Sequence, residues 1–114
     1  MAKRTIYKIN RGVQEKVLRF GRLLQKEGIP ISKLVIFGSY AKNKATKYSD
    51  IDVCVVSSKF GYDAIDEMQY LFKERSKIDN RIEPYPASPS EYQEDESPII
   101  WEIRKHGLEI SKLL

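Results

Sequence analysis

The sequence predicts a small protein of the α/β (α+β) class, in which helices pack on a mixed β-sheet. Apolar residues recur at helical spacing in three segments, and short runs of β-branched and aromatic residues stand between them. The predicted order is helix, strand, strand, helix, strand, helix. Because 114 residues is close to the usual size of one domain, we predict that residues 1–114 form a single domain.

Composition limits the classes of protein to which the chain can belong. Hydrophobic residues make up 41% and charged residues 32%, and no apolar run approaches the roughly 20 residues that a membrane-spanning helix needs. The basic start, Met1–Thr5, is not followed by the apolar segment of a secretory signal. The single cysteine, Cys54, stands in an apolar run, which predicts a small buried side chain and no internal disulfide. We therefore predict a cytoplasmic protein without a membrane contact.

The formal net charge of +4 gives little support for a nucleic-acid partner. The excess lysine and arginine residues are scattered over segments that also carry aspartate and glutamate. We predict that nucleic acid is not a partner.

The first predicted elements are an amphipathic helix and a buried strand. The helix spans Arg11–Lys26, with Asn10 as its N-terminal cap and Gly28 just beyond its end. Its apolar positions recur at steps of four, three and four residues, at Val13, Val17, Phe20 and Leu24. The strand follows at Leu34–Phe37 and runs into Gly38-Ser39, where a tight turn is expected.

The middle of the chain predicts a second strand, a second helix and a third strand. A polar loop at Tyr40–Ser49, with or without one helical turn, leads into the strand Ile51–Val56. The helix Tyr62–Arg75 follows, with apolar positions at Ile65, Met68 and Leu71 or Phe72. The third strand, Arg81–Tyr85, is expected to be short or to lie at a sheet edge, because Pro84 and Pro86 cannot donate hydrogen bonds.

The C-terminal part predicts a loop, a short helix and a small strand. The loop covers Ala87–Glu96, and Ser97 followed by Pro98 is typical of a helix N-terminus. The helix Ile99–His106 ends before Gly107, and a small strand follows at Leu108–Ile110.

The apolar residues of this last helix allow two interpretations. Ile99, Ile100, Trp101 and Ile103 are expected to belong to the core, with an exposed partner-binding face as the alternative. His106, in the last turn, is interpreted as a helix cap rather than a catalytic group.

Two aspartates at the head of the second strand carry the first chemical prediction. Because alternate residues of a strand point to the same face, Asp50 and Asp52 are expected to project together while Ile51 faces the other way. Like charges at this range raise each other's pKa unless a cation offsets them. Magnesium commonly takes one or two protein carboxylates and completes its coordination with water and phosphate oxygens. The pair therefore predicts a magnesium site, although such a pair taken alone is as often a solvated turn.

The turn at Gly38-Ser39 predicts a phosphate site. Glycine lets the backbone approach a phosphate closely, and the serine hydroxyl and following amides can donate hydrogen bonds to it. Lys42, Lys44 and Lys47 supply candidate cations in the loop before the aspartate pair. Phosphoryl and nucleotidyl transfer depend mainly on positioning and charge neutralisation, which these groups together could supply.

These motifs resemble a known family. Phe37-Gly38-Ser39, ten intervening residues and then Asp50-Ile51-Asp52-Val53 are similar to the signature of the minimal nucleotidyltransferases of the DNA polymerase β superfamily. The similarity continues through Ile82–Pro86 and the closing segment Ser97–Ile110. The resemblance implies a polymerase-β-like nucleotidyltransferase fold.

The resemblance also implies roles for the motif residues. Asp50 and Asp52 would bind two magnesium ions, and Gly38 and Ser39 would hold the triphosphate of ATP. Glu83 would be a third acid that completes a metal site or takes the proton from the attacking hydroxyl.

Two of the implied residues depart from the family pattern. The family often has aspartate where this chain has Glu83, and an exposed ion pair between Glu83 and Arg81 is the alternative interpretation. Lys42 stands where the family often has arginine, so it would contact phosphate as a point charge rather than as a planar fork.

Minimal members of this family typically work with a small helical HEPN-domain protein encoded beside them. The resemblance implies a toxin–antitoxin pair, in which the nucleotidyltransferase attaches AMP from ATP to a tyrosine of the HEPN toxin. One alternative is a module that binds nucleotide without turnover and masks its HEPN partner. Another is transfer to a small molecule or an RNA end, which is disfavoured because 114 residues leave no room for a separate acceptor-binding domain.

Overall fold

The computed structural model of the protein describes residues 9–114, so the predictions for the basic start of the chain lie outside the described residues. The helices and strands are, in chain order, α1 (Arg11–Lys26), β1 (Lys33–Phe37), β2 (Ile51–Val56), α2 (Ala64–Arg75), β3 (Ile82–Ala87), α3 (Pro89–Glu94), α4 (Pro98–His106) and β4 (Leu108–Glu109). A short 3-10 helix follows at Ser111–Leu113.

The strands form one four-stranded mixed sheet in the order β3-β2-β1-β4. β1 pairs antiparallel with both β2 and β4, whereas β2 and β3 are parallel and are connected through α2. A parallel pair needs such a crossover, because the chain must return to the same end of the sheet. The predicted mixed sheet with packed helices is confirmed.

Side chains alternate between the two faces of the sheet. On β2, Ile51, Val53 and Val55 pack into the cluster that contains Phe20 of α1 and Leu71 of α2. Cys54 and Val56 of β2 point to the other face, where they belong to a second cluster that includes residues of α4. Its members are Val35, Phe37, Cys54, Val56, Ala87, Ile100 and Ile103. The aspartate at position 52 therefore lies on the face that α4 covers.

Cys54 is fully buried in this second cluster. Burial disfavours the thiolate and raises the pKa of Cys54 to about 12. The prediction that it acts as a small buried apolar residue is confirmed.

The first helix matches its prediction at both ends. The Asn10 side chain accepts hydrogen bonds from the backbone amides of Gly12 and Val13, at 2.8 and 3.2 Å. Such a cap contributes about 1 kcal/mol to stability. Gly28, just past the helix, has a φ of 94° that suits glycine.

The second helix begins two residues later than predicted. Asp63 is its N-cap and accepts from the amide of Asp66 at 3.0 Å. The Glu67 carboxylate accepts from the amides of Gly61, Tyr62 and Asp63, which fixes the chain outside the helix. Ile65 is 71% exposed, so its predicted place on the buried face is wrong.

Between residues 81 and 96, the predicted loop is wrong and the third strand ends later than predicted, although its predicted place at a sheet edge is confirmed. The predicted loop contains α3, whose Ser88 and Glu91 form a reciprocal capping box that the sequence analysis overlooked. The third strand extends to Ala87 and includes both of its prolines.

The prolines fit the strand because it lies at the edge of the sheet. The amide of Ile51 donates to the Arg81 carbonyl and that of Ser57 to the Ala87 carbonyl, at 2.8 and 2.9 Å. Residues of odd number therefore face β2, whereas Pro84 and Pro86 face outward and interrupt no hydrogen bond to β2.

The last helix is only partly buried. Ile100 and Ile103 belong to the core, but Trp101 is 49% and Ile99 37% exposed, so the prediction that all four apolar residues are core is wrong for these two. A nine-residue helix rests on the sheet with one stripe only, and residues on its other sides remain in solvent. His106 ends the helix, and its ring meets that of Trp101 edge-on, with 6.1 Å between centroids.

None of the helices between residues 9 and 114 has the length and apolar character needed to cross a membrane.

Candidate active site

The backbone of Gly38 lies directly against the Asp52 carboxylate. Phe37, the last residue of β1, pairs with Asp52 of β2, so the turn after β1 starts beside the aspartate. Gly38 has a φ of 70°. A Cβ added at this position would lie 2.1 Å from Asp52 Oδ2 and 3.0 Å from its Cγ. Both the backbone conformation and the close approach therefore require glycine.

The turn from Gly38 to Asn43 is closed by backbone hydrogen bonds. The Lys42 amide donates to the Gly38 carbonyl at 3.1 Å, and the Lys44 amide donates to the Ser39 carbonyl at 2.9 Å. Within residues 9–114, no group hydrogen-bonds the Ser39 hydroxyl. This hydroxyl is therefore available as a donor to a ligand.

The loop that leads from this turn to the aspartates is also fixed. The Thr46 amide donates to Ser49 Oγ at 2.9 Å, and the Tyr40 hydroxyl donates to the Thr46 carbonyl at 3.3 Å. Arg81 Nη1 reaches across from the start of β3 to the Lys47 carbonyl at 3.2 Å. These contacts fix the position of the turn from Gly38 to Asn43 relative to the aspartate pair.

The three predicted acids lie at one end of the sheet on the α4 face. Asp52 pairs with Glu83 in the parallel register of β2 and β3, so both side chains leave the same face. Asp50 precedes Asp52 by two residues and is exposed, whereas Asp52 and Glu83 are partly buried.

Of the three acids, Asp52 is the one whose ionisation the structure disfavours. Burial, followed by the negative charges of Asp50 and Glu83, raises the pKa of Asp52 from 3.8 to about 6. Among the described residues, no lysine, arginine or histidine forms an ion pair with Asp50 or Asp52. Within residues 9–114, no ion pair therefore offsets these two negative charges.

The carboxylates of this site suit magnesium, but they are too few to complete its coordination. Carboxylate oxygens are the ligands that magnesium prefers. In residues 9–114, however, no group of three or more histidine, cysteine or acidic side chains is arranged to hold a metal ion. Asp50 and Asp52 would therefore supply the protein ligands, and phosphate and water oxygens would supply the others.

Glu83 does not pair with Arg81, so that alternative is wrong. Arg81 pairs with Asp79 at 3.4 Å. Glu83 is instead approached by Arg75 Nη1 at 3.5 Å, and the same nitrogen donates to the carbonyls of Asn80 and Ile82 at 2.9 and 2.8 Å. Arg75 on α2 thus fixes the start of β3 and the position of Glu83.

Lys42, predicted to bind phosphate, is paired with a residue of α4. Its ammonium lies 2.6 Å from Glu102 Oε2. Neither Arg75 nor Glu102 was predicted as a site residue. Arg75 reaches from the end of α2 to the start of β3, and Glu102 contacts Lys42 from an element distant in the chain. No local spacing links residues 42 and 102.

Comparison with known proteins adds three findings. A family model described as nucleotidyltransferase domain matches residues 19–112. Two proteins of Methanocaldococcus jannaschii, both named "putative protein adenylyltransferase", are similar to the chain. One is 43% identical over 49 residues, which is 43% of this chain and 37% of that protein. The other is 30% identical over 64 residues, which is 56% of this chain and 64% of that protein. The chain thus spans less than two thirds of the length of each.

The fold also matches a solved structure. The crystal structure of a "putative nucleotidyltransferase" from Sulfolobus solfataricus superposes with a TM-score of 0.56, covering 86% of this chain and 82% of that chain. The sequences are 19% identical, so the likeness concerns the fold alone. It agrees with the polymerase-β-like nucleotidyltransferase fold that the motifs predicted.

Proposed function

The chain belongs to the nucleotidyltransferase domain family, and from this premise we propose that it transfers AMP from ATP to a hydroxyl group of a protein partner. One observation carries the proposal: the turn that begins at Gly38 lies against the carboxylate of Asp52. This contact supports the proposal, because it would set phosphate donors beside metal-binding acids, as transfer of a charged group requires.

In the proposed reaction, the acceptor oxygen attacks the α-phosphorus of ATP. The bond between this phosphorus and the bridging oxygen to the β-phosphorus breaks, and pyrophosphate leaves. The amides of the turn and the Ser39 hydroxyl orient the triphosphate, and Glu83 takes the proton of the acceptor hydroxyl. Asp50 and Asp52 would hold magnesium, which would supply neutralisation of charge on the phosphates.

We propose that the acceptor is a tyrosine of a HEPN-domain toxin and that the protein acts as its antitoxin. The two Methanocaldococcus jannaschii relatives are named "putative protein adenylyltransferase", which supports a protein acceptor. The ten-residue interval between Ser39 and Asp50 supports the HEPN pairing by its resemblance to the minimal family.

The test is transfer of label from ATP to the proposed HEPN-domain partner. With magnesium present, label at the α-phosphate should pass to that partner and label at the γ-phosphate should not. A partner in which the acceptor tyrosine is replaced by phenylalanine is the matched control and should stay unlabelled. Transfer of the γ-label would identify a kinase instead. A partner that takes up neither label, with folded proteins and ATP bound, would contradict the proposed acceptor.

A second candidate function is masking of the partner without transfer. It is favoured by one observation: Glu83 and Lys42 are both engaged by other side chains, Arg75 and Glu102. Neutralisation of the toxin that persists without ATP, and with the aspartate pair replaced, would establish this second function.

The raised pKa of Asp52 predicts a pH dependence of metal binding. We expect Asp52 of the metal-free protein to titrate near pH 6, so magnesium-ATP should bind more weakly as the pH falls through this value. Carbon NMR of the carboxylates would measure the midpoint, with Asp52→Asn to assign the resonance. Magnesium should lower the midpoint. A midpoint near the ordinary aspartate value would show that Asp52 is neither buried nor crowded by other acids.

A further inference from the structure

The ion pair between Lys42 and Glu102 connects the phosphate turn to α4. Lys42 belongs to the turn that begins at Gly38, and its amide is part of the closing hydrogen bonds. Glu102 stands on α4 between the exposed Trp101 and the buried Ile103. The 2.6 Å contact joins two elements that lie on the same face of the sheet as Asp52.

Of the three lysines in the loop between Gly38 and Asp50, Lys42 is the one that forms an ion pair. In the described part of the chain, Lys44 and Lys47 form no ion pair, and Lys47 instead lies over the ring of Tyr48 at 5.1 Å. Lys42 also makes no ion pair with Asp50, Asp52 or Glu83. The cation of the turn is thus directed to α4 and away from the acids that would hold metal.

The two partners differ in their freedom to move. Glu102 belongs to a helix that is anchored by Ile100 and Ile103, both buried in the core. Lys42 is carried by an exposed turn, and its flexible four-carbon side chain can turn toward another anion. The Lys42 side chain is 41% exposed and therefore accessible to a ligand, whereas the Glu102 oxygen that contacts it is buried.

A triphosphate and Glu102 would compete for the same ammonium group. The carboxylate supplies one negative charge, whereas magnesium-ATP supplies several phosphate oxygens next to the turn. Lys42 holds the pKa of Glu102 below its ordinary value, which shows that the carboxylate is charged when the two are paired. An ion pair of this exposure is weak enough for a bound ligand to displace.

We propose that Glu102 is an internal competitor of the nucleotide, which holds Lys42 until the triphosphate of ATP takes its place. This inference rests on the proposed function, since it assumes that ATP binds at the turn. Glu102 would then weaken the binding of other anions at the turn, if they are too small or too weakly charged to displace it from Lys42. In the nucleotide-bound protein, the carboxylate is released at the surface of α4.

The test is calorimetric titration of magnesium-ATP into the wild type and a set of variants. Glu102→Gln should bind about two- to fivefold more tightly, as expected for the loss of one weak competing ion pair. Lys42→Met should bind more weakly, and Glu102→Gln should have no further effect in the Lys42→Met background. Glu102→Asp, which keeps the charge, should remain close to the wild type. Glu109→Gln is the matched control, because it breaks the exposed pair with Lys33 on β1.

The outcomes separate this inference from the proposed function. Equal affinities of the wild type and Glu102→Gln would overturn the inference and leave the function in place. If Glu102→Gln raised the affinity for magnesium-ATP equally in the Lys42→Met background, the inference would be overturned as well. The effect would then come from removal of a negative charge and not from release of Lys42. If neither folded wild type nor folded Glu102→Gln bound magnesium-ATP, the proposed function itself would be contradicted. Binding that is detectable only in Glu102→Gln would support both.

Discussion

Replacement of both Asp50 and Asp52 by asparagine is expected to lower AMP transfer by about a thousandfold or more. Loss of metal-based charge stabilisation is worth several kcal/mol in such reactions, and each 1.36 kcal/mol is a factor of ten in rate. The measurement is transfer of α-labelled ATP to the partner, with magnesium-dependent ATP binding measured alongside. Transfer within tenfold of the wild type would place the metal site elsewhere.

The same substitution is expected to stabilise the protein when metal is absent. The pKa of Asp52 is raised from 3.8 to about 6 by burial and by the neighbouring acids. The ionised carboxylate therefore destabilises the folded state, and this effect grows as the pH rises from about 4 through 6. The shift corresponds to at most about 3 kcal/mol, and solvent screening of this half-exposed group reduces it to about 1 kcal/mol.

Urea unfolding in the presence of a chelator would measure this gain. The variant should unfold at higher urea than the wild type at about pH 8, and the difference should shrink toward about pH 4. Asp50→Asn alone is the control, since Asp50 is exposed and contributes only part of the repulsion. A variant less stable than the wild type at both pH values would show that the aspartates support the fold rather than the chemistry.

Replacement of Gly38 by alanine is expected to damage both stability and transfer. The positive φ alone costs roughly 1–2 kcal/mol for a residue with a Cβ. The new methyl group would also overlap Asp52 Oδ2, so the turn or the carboxylate must move. A displacement of about 1 Å in a reacting group can lower a rate by about a hundredfold. We expect a loss of that order in transfer.

Gly28→Ala separates the two contributions. Gly28 also has a positive φ, of 94°, but nothing lies within 4 Å of the added Cβ. It should therefore show the backbone strain without a loss of transfer. Unfolding and transfer assays of both variants would check this. If Gly38→Ala lost no more activity than Gly28→Ala, the contact between the turn and Asp52 would have no part in the reaction.

The predictable part of the site is the part encoded locally. The glycine turn and the aspartate pair each follow from a strand end and a short spacing, and antiparallel pairing of β1 with β2 brings the two together. The strand of Glu83 was recognised from its own composition, whereas the choice of Glu83 as a third acid came from the family resemblance; the structure pairs it with Asp52. The residues that engage Glu83 and Lys42 come from other elements, and sequence periodicity carries no information on such contacts.

The errors in the fold have similar causes. The α3 helix has six residues and no apolar stripe, so its signals are confined to its start: the capping box at Ser88 and Glu91, and Pro89 at the first helical position. Trp101 and Ile65 were assigned to the core because apolar residues usually are, but short helices on a small sheet cannot bury every apolar side chain.

The outward edge of β3 presents no free amide proton to a neighbouring molecule over Ile82–Pro86. Pro84 and Pro86 have none, and the amide of Ile82 donates to the Asp79 carbonyl at 3.1 Å. The Ile82 carbonyl is also engaged, by Arg75. Exposed strand edges are the usual templates for aggregation and for strand addition by other chains. This edge cannot serve as such a template, so a protein that docks beside β3 must do so through side chains rather than by extending the sheet.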